Sequence, residues 1–477
     1  MRSAARAGYD AEADGGRARW TAALVAGAFF MENLDGTVIT TAIPEMARTF
    51  GTRPTELSAG ISAYLLTLAV LIPLSGWVAD RLGPRNVFAT AVAVFTIASV
   101  LCGLSGSLAQ FTAARVLQGV GGAMMVPVGR LVVLRSAEKH GLVRAIATLV
   151  WPGLVAPILG PPVGGLITGL WSWRWIFFLN VPLGVVALVL AVVLIGGQPG
   201  RPRPFDLVGF VLAGIGCSAL MYALEQIGRP SAGSLVIALP LGAAAMVLAL
   251  LHLHRTAHPL VDLSTWRFRT FAVSQRGGSF SAVAIHSAPF LLPLLFQVGL
   301  GMSPVASGSL LLFLFAGNLT MKPFTTWLLR RFGFRRVLVV NGVLVVAGFV
   351  ACALLGPQAT RFAIGAVLFG CGLCRSMQFT AFNTLAFADV PRERMSGAST
   401  LFSAVGQMTA GLGVAMGALA LQAGQFLTGR TGERLVVGDF RVAFLLMGAV
   451  AALALFDAFQ LAPDTGAEVS GHRTAHR

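Results

Sequence analysis

Residues 76–87 read GWVADRLGPRNV, and residues 326–337 read TWLLRRFGFRRV. The stretches lie 250 positions apart and align without a gap. Trp77 matches Trp327, Arg81 matches Arg331, Gly83 matches Gly333 and Arg85 matches Arg335. Each stretch closes one long apolar run and opens the next. A basic hairpin of this kind, present twice, predicts two equivalent blocks lying in the membrane in the same orientation.

The rest of the chain agrees. Of 477 residues, 56% are hydrophobic and 11% are charged, and the mean hydropathy is +0.78. A soluble globular chain carries about 25% charged residues, so this composition is that of a membrane protein. One crossing helix needs about 20 apolar residues. Runs of that order cover 20–44, 56–79, 86–105, 109–133, 142–168, 175–196, 206–226, 232–252, 270–298, 304–329, 336–356, 361–389, 396–424 and 440–461, fourteen spans in all. No series of short alternating segments suggests a barrel, so the fold expected is an all-α bundle of fourteen transmembrane helices.

The repeat equates spans 2 and 3 with spans 10 and 11. The expected domains are therefore a polar, irregular cytoplasmic tail (1–19), a six-helix half (20–196), a linker with two extra spans (197–269), a second six-helix half (270–461) and a cytoplasmic tail (462–477). The linker opens with GGQPGRPRPF (196–205). No short cleavable segment precedes span 1, which is expected to serve as its own targeting signal.

With both termini on one side, the segments on that side hold 22 Lys and Arg against 8 on the other. Five more lie three or more residues inside a span: Arg115, Arg130, Arg276, Lys322 and Arg375. This imbalance places the termini and both basic hairpins in the cytoplasm and accounts for the net charge of +16. The charge is scattered over short loops, so nucleic acid is not an expected partner. Trp171, Trp173 and Trp175 fall in one outer loop, and Trp20, Trp77, Trp266 and Trp327 at inner ends. Both positions suit an interfacial belt.

These motifs resemble those of the major facilitator superfamily. GWVADRLGPRNVF is similar to its loop 2–3 motif, RVLQGVGGA (115–123) to its span-4 motif, and GLVAPILGPPVGG (153–165) to the span-5 motif of its antiporter branch. LDGTVITTAIP (34–44), WRWIFFLNVPLG (173–184) and HPLVDLSTWRFR (258–269) resemble signatures of the fourteen-span drug:proton antiporters of the EmrB/QacA type. The resemblance covers nearly the whole chain. It implies two six-helix halves rocking about a central cavity, driven by a proton gradient with no cofactor. Its implied partners are small-molecule substrates, protons and the bilayer of the inner membrane, with a periplasmic adaptor and an outer-membrane channel as further candidates. The chain departs from the family at Thr40, where asparagine is common, and at Glu32, where a neutral residue is usual. Arg330 also stands where Asp80 stands in the first repeat.

Each motif has a physical reading. Asp80 can pair with an arginine or with a helix N-terminus, and Gly83 allows a tight turn. With Gly76, Arg81 and Arg85 they form a candidate conformational latch, the bland alternative being a static ion pair worth under ~1 kcal/mol. Span 5 carries Gly153, Pro157, Gly160, Pro161, Gly164 and Gly165. Its prolines remove backbone donors, and Gly160 and Gly164 offer a small-residue face for close helix contact. A bend that limits proton leak and plain dense packing both satisfy these residues.

Glu32 and Asp35 are the acidic pair placed deep in an apolar run. A carboxylate there costs ~2.5–3.5 kcal/mol on insertion scales. Three residues apart, they share a helix face, and a close carboxylate pair in poor solvent titrates as a unit. Proton carriage is the expectation, with Asp35 ahead of Glu32 because the family motif includes its position. Arg115 is the natural partner, tuning the site or forming a structural ion pair.

Lys322 and Arg375 lie ~12 Å and ~21 Å along their helices from the nearest terminal arginine. They await either those carboxylates or an anionic substrate. Arg276 is expected to snorkel to the inner surface. His286, Gln378 and Asn383 complete the substrate-binding candidates.

The five cysteines all fall in spans, and CGLC (371–374) lacks the βαβ context of a redox motif. No nucleotide loop or hydrolase motif appears, and no metal site or enzymatic activity is expected. The expected function is proton-coupled export of amphipathic drugs or toxic metabolites by alternating access. Transport of a specific organic anion or nutrient, or a non-transporting membrane sensor, are the alternatives.

Overall fold

The computed structural model describes residues 2–136, 142–196, 204–226, 233–256, 263–391, 394–430, 434–462 and 465–466. Most of the 196–205 linker and most of the C-terminal tail lie outside these residues.

Span 1 lies in helix Arg2–Val38, and spans 2, 3 and 4 are Ser58–Leu82, Pro84–Leu104 and Leu108–Ser136. Span 5 is Leu142–Leu170 and span 6 is Asn180–Leu194. Spans 7 and 8 are Leu207–Gln226 and Gly233–Arg255. Span 9 is Arg269–Leu294, and one long element, Pro304–Ala353, holds spans 10 and 11. Spans 12, 13 and 14 are Arg361–Ala386, Met395–Leu427 and Val437–Phe459. The expected fourteen helices are therefore present among the described residues. One expectation fails: the backbone is already helical from Arg2, so 1–19 is not an irregular tail. RSAARA is rich in helix formers, and the apolar, membrane-length part begins at Arg19.

The repeat is visible in the backbone. Gly83 closes span 2 with φ 83° and ψ 137°. Gly333 separates spans 10 and 11 with φ 75° and ψ 163°. Both glycines occupy a region that residues with a Cβ avoid, which is why the two hairpins share a glycine and little else between their arginines.

The two extra spans pack on each other. Gly216 faces the backbone of Met246, and Gly242 faces that of Leu220, so the helices approach closely. Their outward surface exposes Val236, Ile237, Leu239, Leu241, Val247 and Leu248, a face fit for lipid.

The halves are not joined evenly. One core draws on both: it combines Val38, Ala42, Ile43, Leu57, Phe111, Ile167 and Trp173 with Phe290, Leu295, Leu310, Ala418 and Phe440. Every member from the first half sits at the arginine-poor end of its helix. Towards the arginine-rich end each half keeps its own core. Phe29, Leu68, Phe88, Phe95 and Val128 form one, and Phe334, Leu338, Phe382 and Leu385 another. Leu401, at that end of span 13, packs with Phe271 and Ala386 of its own half. Among the described residues the seal between the halves therefore lies at the arginine-poor end.

Trp173 belongs to that seal and not to the interfacial belt. It is 1% exposed, its ring meets Phe50 and Phe177 edge-on, and its Nε1 donates to Thr49 Oγ1 at 3.0 Å. Trp171 and Trp175 stay exposed as expected.

Gly83→Ala and Gly333→Ala are each expected to lower stability by about 1–3 kcal/mol, the usual cost of such a backbone position. Gly36→Ala, with open space around it, is the neutral control. Thermal unfolding in detergent compares the three.

Candidate functional site

The polar centre of the first half is built around Asp35 of span 1. Its side chain and that of Arg115 on span 4 are both 0% exposed and pair at 2.6 Å, Nη1 to Oδ2. The other carboxylate oxygen, Oδ1, accepts from Gln118 Nε2 at 2.9 Å and from Asn180 Nδ2 at 2.8 Å. Arg115 Nη1 also donates to Gln118 Oε1 at 2.6 Å. Ser99 Oγ accepts from both amides, at 3.3 and 2.9 Å, and donates to the Phe177 carbonyl at 3.1 Å. One carboxylate thus gathers spans 1, 3, 4 and 6. The guanidinium carbon of Arg115 lies 4.1 Å from the Tyr64 ring centroid, a cation–π contact from span 2.

Glu32 is one turn away and outside this network. Its Oε2 is buried with no hydrogen-bond partner, and the Tyr64 hydroxyl is in the same condition. Both lie over Gly122 of span 4, whose missing side chain leaves the room. The structure thus brings Asp35 and Arg115 together and leaves Glu32 unpaired. Gln118, Asn180 and Ser99 were not singled out in the sequence. The signal was present, because Gln118 and Asn180 stand in two of the quoted motifs and are polar residues in apolar runs.

Span 5 is held by its glycines. A Cβ on Gly160 would collide with Thr37, and one on Gly164 with the Val38 carbonyl and Thr41, both on span 1. Gly165 meets the Pro304 carbonyl of span 10, and Gly308 of span 10 meets the Pro161 carbonyl. The small-residue face therefore serves two partners, one in each half. The helix is assigned continuously through Pro157, Pro161 and Pro162. The surroundings of Gly153 lie outside the described residues.

In the latch segment, Asp80 is half-buried and engaged in an interaction. Arg81 lies over Trp77 at 5.3 Å, Arg85 is half-buried, and a Cβ on Gly76 would meet nothing within 4 Å.

In the second half, Lys322 donates to Thr380 Oγ1 at 3.2 Å, and Arg375 lies 6.0 Å from the Phe315 ring with Nη1 buried and unpartnered. His286 Nδ1 meets the Ala282 carbonyl at 2.8 Å, so that nitrogen carries the proton. Asn383 is half-buried two turns beyond Arg375. Gln378 is buried, and its Oε1 accepts from Asn341 Nδ2 at 2.7 Å. It ties span 12 to span 11 and is not placed as a substrate-binding group. Arg276 does reach an exposed position, but it is paired: Nε donates to Asp457 Oδ1 at 2.7 Å. The described residues contain no group of three metal-ligating side chains. Cys352 and Cys371 lie 3.9 Å apart as free thiols.

Two like-oriented six-helix blocks sealed at one end, with buried charge between helices, define a multi-pass membrane transporter of two-repeat design. The profile described as "Major Facilitator Superfamily" matches residues 25–414. A protein of Escherichia coli named "Putative multidrug resistance protein MdtD" is 37% identical over 459 residues, covering 95% of this chain and 96% of that one. Its namesake from Shigella flexneri is 38% identical over 408 residues, 84% of this chain and 86% of that one. Among solved structures, a bacterial homologue of the human lysosomal transporter Spinster, described as inward-facing and unoccupied, superposes with a TM-score of 0.66. It is 16% identical and covers 96% of this chain and 99% of that one. The POT family transporter PepTSo gives 0.67 at 14% identity, covering 95% of this chain and 98% of that one. The chain belongs to the Major Facilitator Superfamily; it is a transporter and not an enzyme.

Removing one partner of a buried ion pair typically costs about 3–5 kcal/mol. Arg115→Met is expected to destabilise by that order, because Asp35 keeps its charge and loses the cation paired with it. Adding Asp35→Asn to that variant is expected to recover much of the loss. A double-mutant cycle of unfolding midpoints measures the coupling.

Proposed function

We propose that the chain is a proton-coupled exporter of amphipathic small molecules, working by alternating access in the cytoplasmic membrane with both termini inside. The observation that carries this reading is the Asp35 node. A buried carboxylate that accepts from two amides and pairs with a buried arginine has two discrete states. Ionised, it holds spans 1 and 4 through Arg115. Protonated, it loses the charge that compensates Arg115, and the arrangement of the four helices must change. Glu32, one turn away and unpaired, exchanges protons with the transport path, and the Asp35–Arg115 pair converts that charge change into helix movement. The sequence favours Asp35 as proton carrier; the geometry supports Glu32 for exchange and Asp35 for coupling.

The arginine-rich end is the cytoplasmic one by the positive-inside rule, so a seal at the arginine-poor end corresponds to an inward-facing arrangement. The similarity to an inward-facing transporter of the same fold supports that reading. The relatives named for multidrug resistance support export. Asp80, Arg81 and Gly83 lie at the end that must close for the outward-facing state, which suits a latch made there. Gly165 and Gly308 form the seal that opens at the other end. A periplasmic adaptor and outer-membrane channel remain candidate partners of the exporter.

The test uses inverted membrane vesicles with an imposed pH gradient and ethidium as probe. Glu32→Gln and Asp35→Asn are each expected to reduce gradient-driven accumulation at least tenfold while leaving ethidium binding in detergent within threefold. Accumulation by both variants at the wild-type level would falsify the proton role. Loss of binding together with transport would assign the residues to the substrate instead.

A further inference from the structure

The second half holds a cluster of cationic and cation-forming groups that the proton mechanism does not use. His286 comes from span 9, Lys322 from span 10 and Arg375 from span 12. Lys322 meets Thr380 and Phe379, about one turn along span 12 from Arg375, and Ile285, the neighbour of His286 on span 9, lines the same cavity as Arg375. Among the described residues, ion pairs join Arg53 to Glu56, Arg115 to Asp35, His252 to Asp206 and Arg276 to Asp457. None involves the cluster. What Lys322 has is a threonine hydroxyl and the Phe379 ring at 6.0 Å. What Arg375 has is the Phe315 ring, with Nη1 buried and without an acceptor. Like charges brought together away from water are unfavourable unless an anion joins them. Of the described acidic residues in this half, Asp389 is exposed, Asp457 is taken by Arg276, and Asp439 caps its own helix by accepting from the Val436 amide.

The aromatic rings say what kind of anion fits. Phe315 and Phe379 flank the two cations, and Phe379 is 53% exposed. Arg375 also lines a cavity of about 40 Å³ with Ile285, Leu314, Phe349, Cys374 and Phe444. That volume holds a few atoms, so it suits an apolar substituent and not a whole ligand. A guanidinium matches a carboxylate in two parallel hydrogen bonds, and an ammonium adds a point charge.

We propose that His286, Lys322 and Arg375 form a substrate subsite of the transport path, and that among the amphipathic compounds exported it selects organic carboxylates with an aromatic or aliphatic body. This inference rests on the reading of the chain as a transporter and adds the charge and chemistry of what it carries. Arg375 takes the carboxylate, Lys322 supplies the second positive charge, His286 contributes a further polar contact, and the phenylalanines receive the body.

The test separates binding from transport. Pyrenebutyrate and its neutral amide are titrated at equilibrium, with no gradient, into the purified protein in phosphatidylcholine nanodiscs. The acid is expected to bind at least tenfold more tightly than the amide. Arg375→Met is expected to abolish that preference, Lys322→Met to reduce it several-fold, and Arg375→Lys to restore part of it, all with unfolding midpoints near wild type. Equal binding of acid and amide, or no binding of either, overturns the proposal. So does an unchanged preference in Arg375→Met, or displacement of the acid by phosphatidylglycerol at lipid-like concentrations, which would assign the cations to a headgroup. A fall in the midpoint of Arg375→Met that Glu32→Gln reverses would assign them to an internal ion pair. Because no gradient is used, the carboxylate preference stands or falls apart from proton coupling. Ethidium export by wild-type vesicles without any acid-over-amide preference would leave the transporter reading intact and remove this one.

Discussion

The Asp35–Arg115 pair is the constraint around which the first half is arranged. A charge pair with no exposure to solvent is expensive to assemble and more expensive to break. It persists because both carboxylate oxygens are engaged: Arg115 takes one, and Gln118 and Asn180 share the other. Those donors stand on different helices, so satisfying one carboxylate fixes the relative positions of spans 1, 4 and 6. Ser99 brings in span 3 by accepting from both amides. The apolar core of this half, with Phe88 and Phe95 at 0% exposure, closes around a polar centre that specifies one arrangement. Such a centre is also the natural place for a switch, because a single proton removes the reason for the arrangement.

The second constraint is how closely backbones approach. Within hydrocarbon there is no hydrophobic force between helices, and packing of small residues takes its place. Span 5 uses Gly160 and Gly164 against span 1 and Gly165 against span 10. The same helix therefore belongs to the first half by one face and to the seal by another. Span 10 answers with Gly308 against Pro161. Contacts made by backbone against backbone tolerate no added methyl group, yet they involve no charge or long side chain that must be withdrawn when the halves part. That combination suits a seal which forms and opens repeatedly.

The two halves differ in electrostatic character. The first keeps a carboxylate with its cation and a second carboxylate without one. Beside its Arg276–Asp457 pair, the second keeps Lys322 and Arg375, which meet no carboxylate among the described residues. This asymmetry follows no rule of the repeat, which equates the hairpins at Gly83 and Gly333 but not the residues between helices. Evidence of common architecture and evidence of divided labour thus come from different positions: the turns preserve the one, and the intramembrane charges carry the other.

Much of this was legible in the chain alone. The fourteen apolar runs, the 250-residue repeat and the arginine imbalance determine the helices, the two like-oriented halves and which end is basic. They do so because hydrocarbon length and backbone hydrogen bonding allow little else. Glu32, Asp35, Arg115, Lys322 and Arg375 stood out for the same reason, as charges where charge is costly. What sequence could not decide was pairing. Asp35 and Glu32 share a helix face at a spacing of three, yet one is enclosed by donors from two other helices and the other keeps a buried oxygen without a partner among the described residues. Gln378 resembled a cavity residue until Asn341 claimed it, and Trp173 resembled a belt residue until Thr49 and Phe50 enclosed it. Arg276 resembled a snorkelling cation until Asp457, 181 positions away, met it. Even the helix from Arg2 was hidden, because a polar segment looks the same to hydropathy whether or not it is helical. Insertion energy is a property of each residue in its own span and can be read locally; partnership depends on which helices lie side by side, and only the tertiary structure decides that.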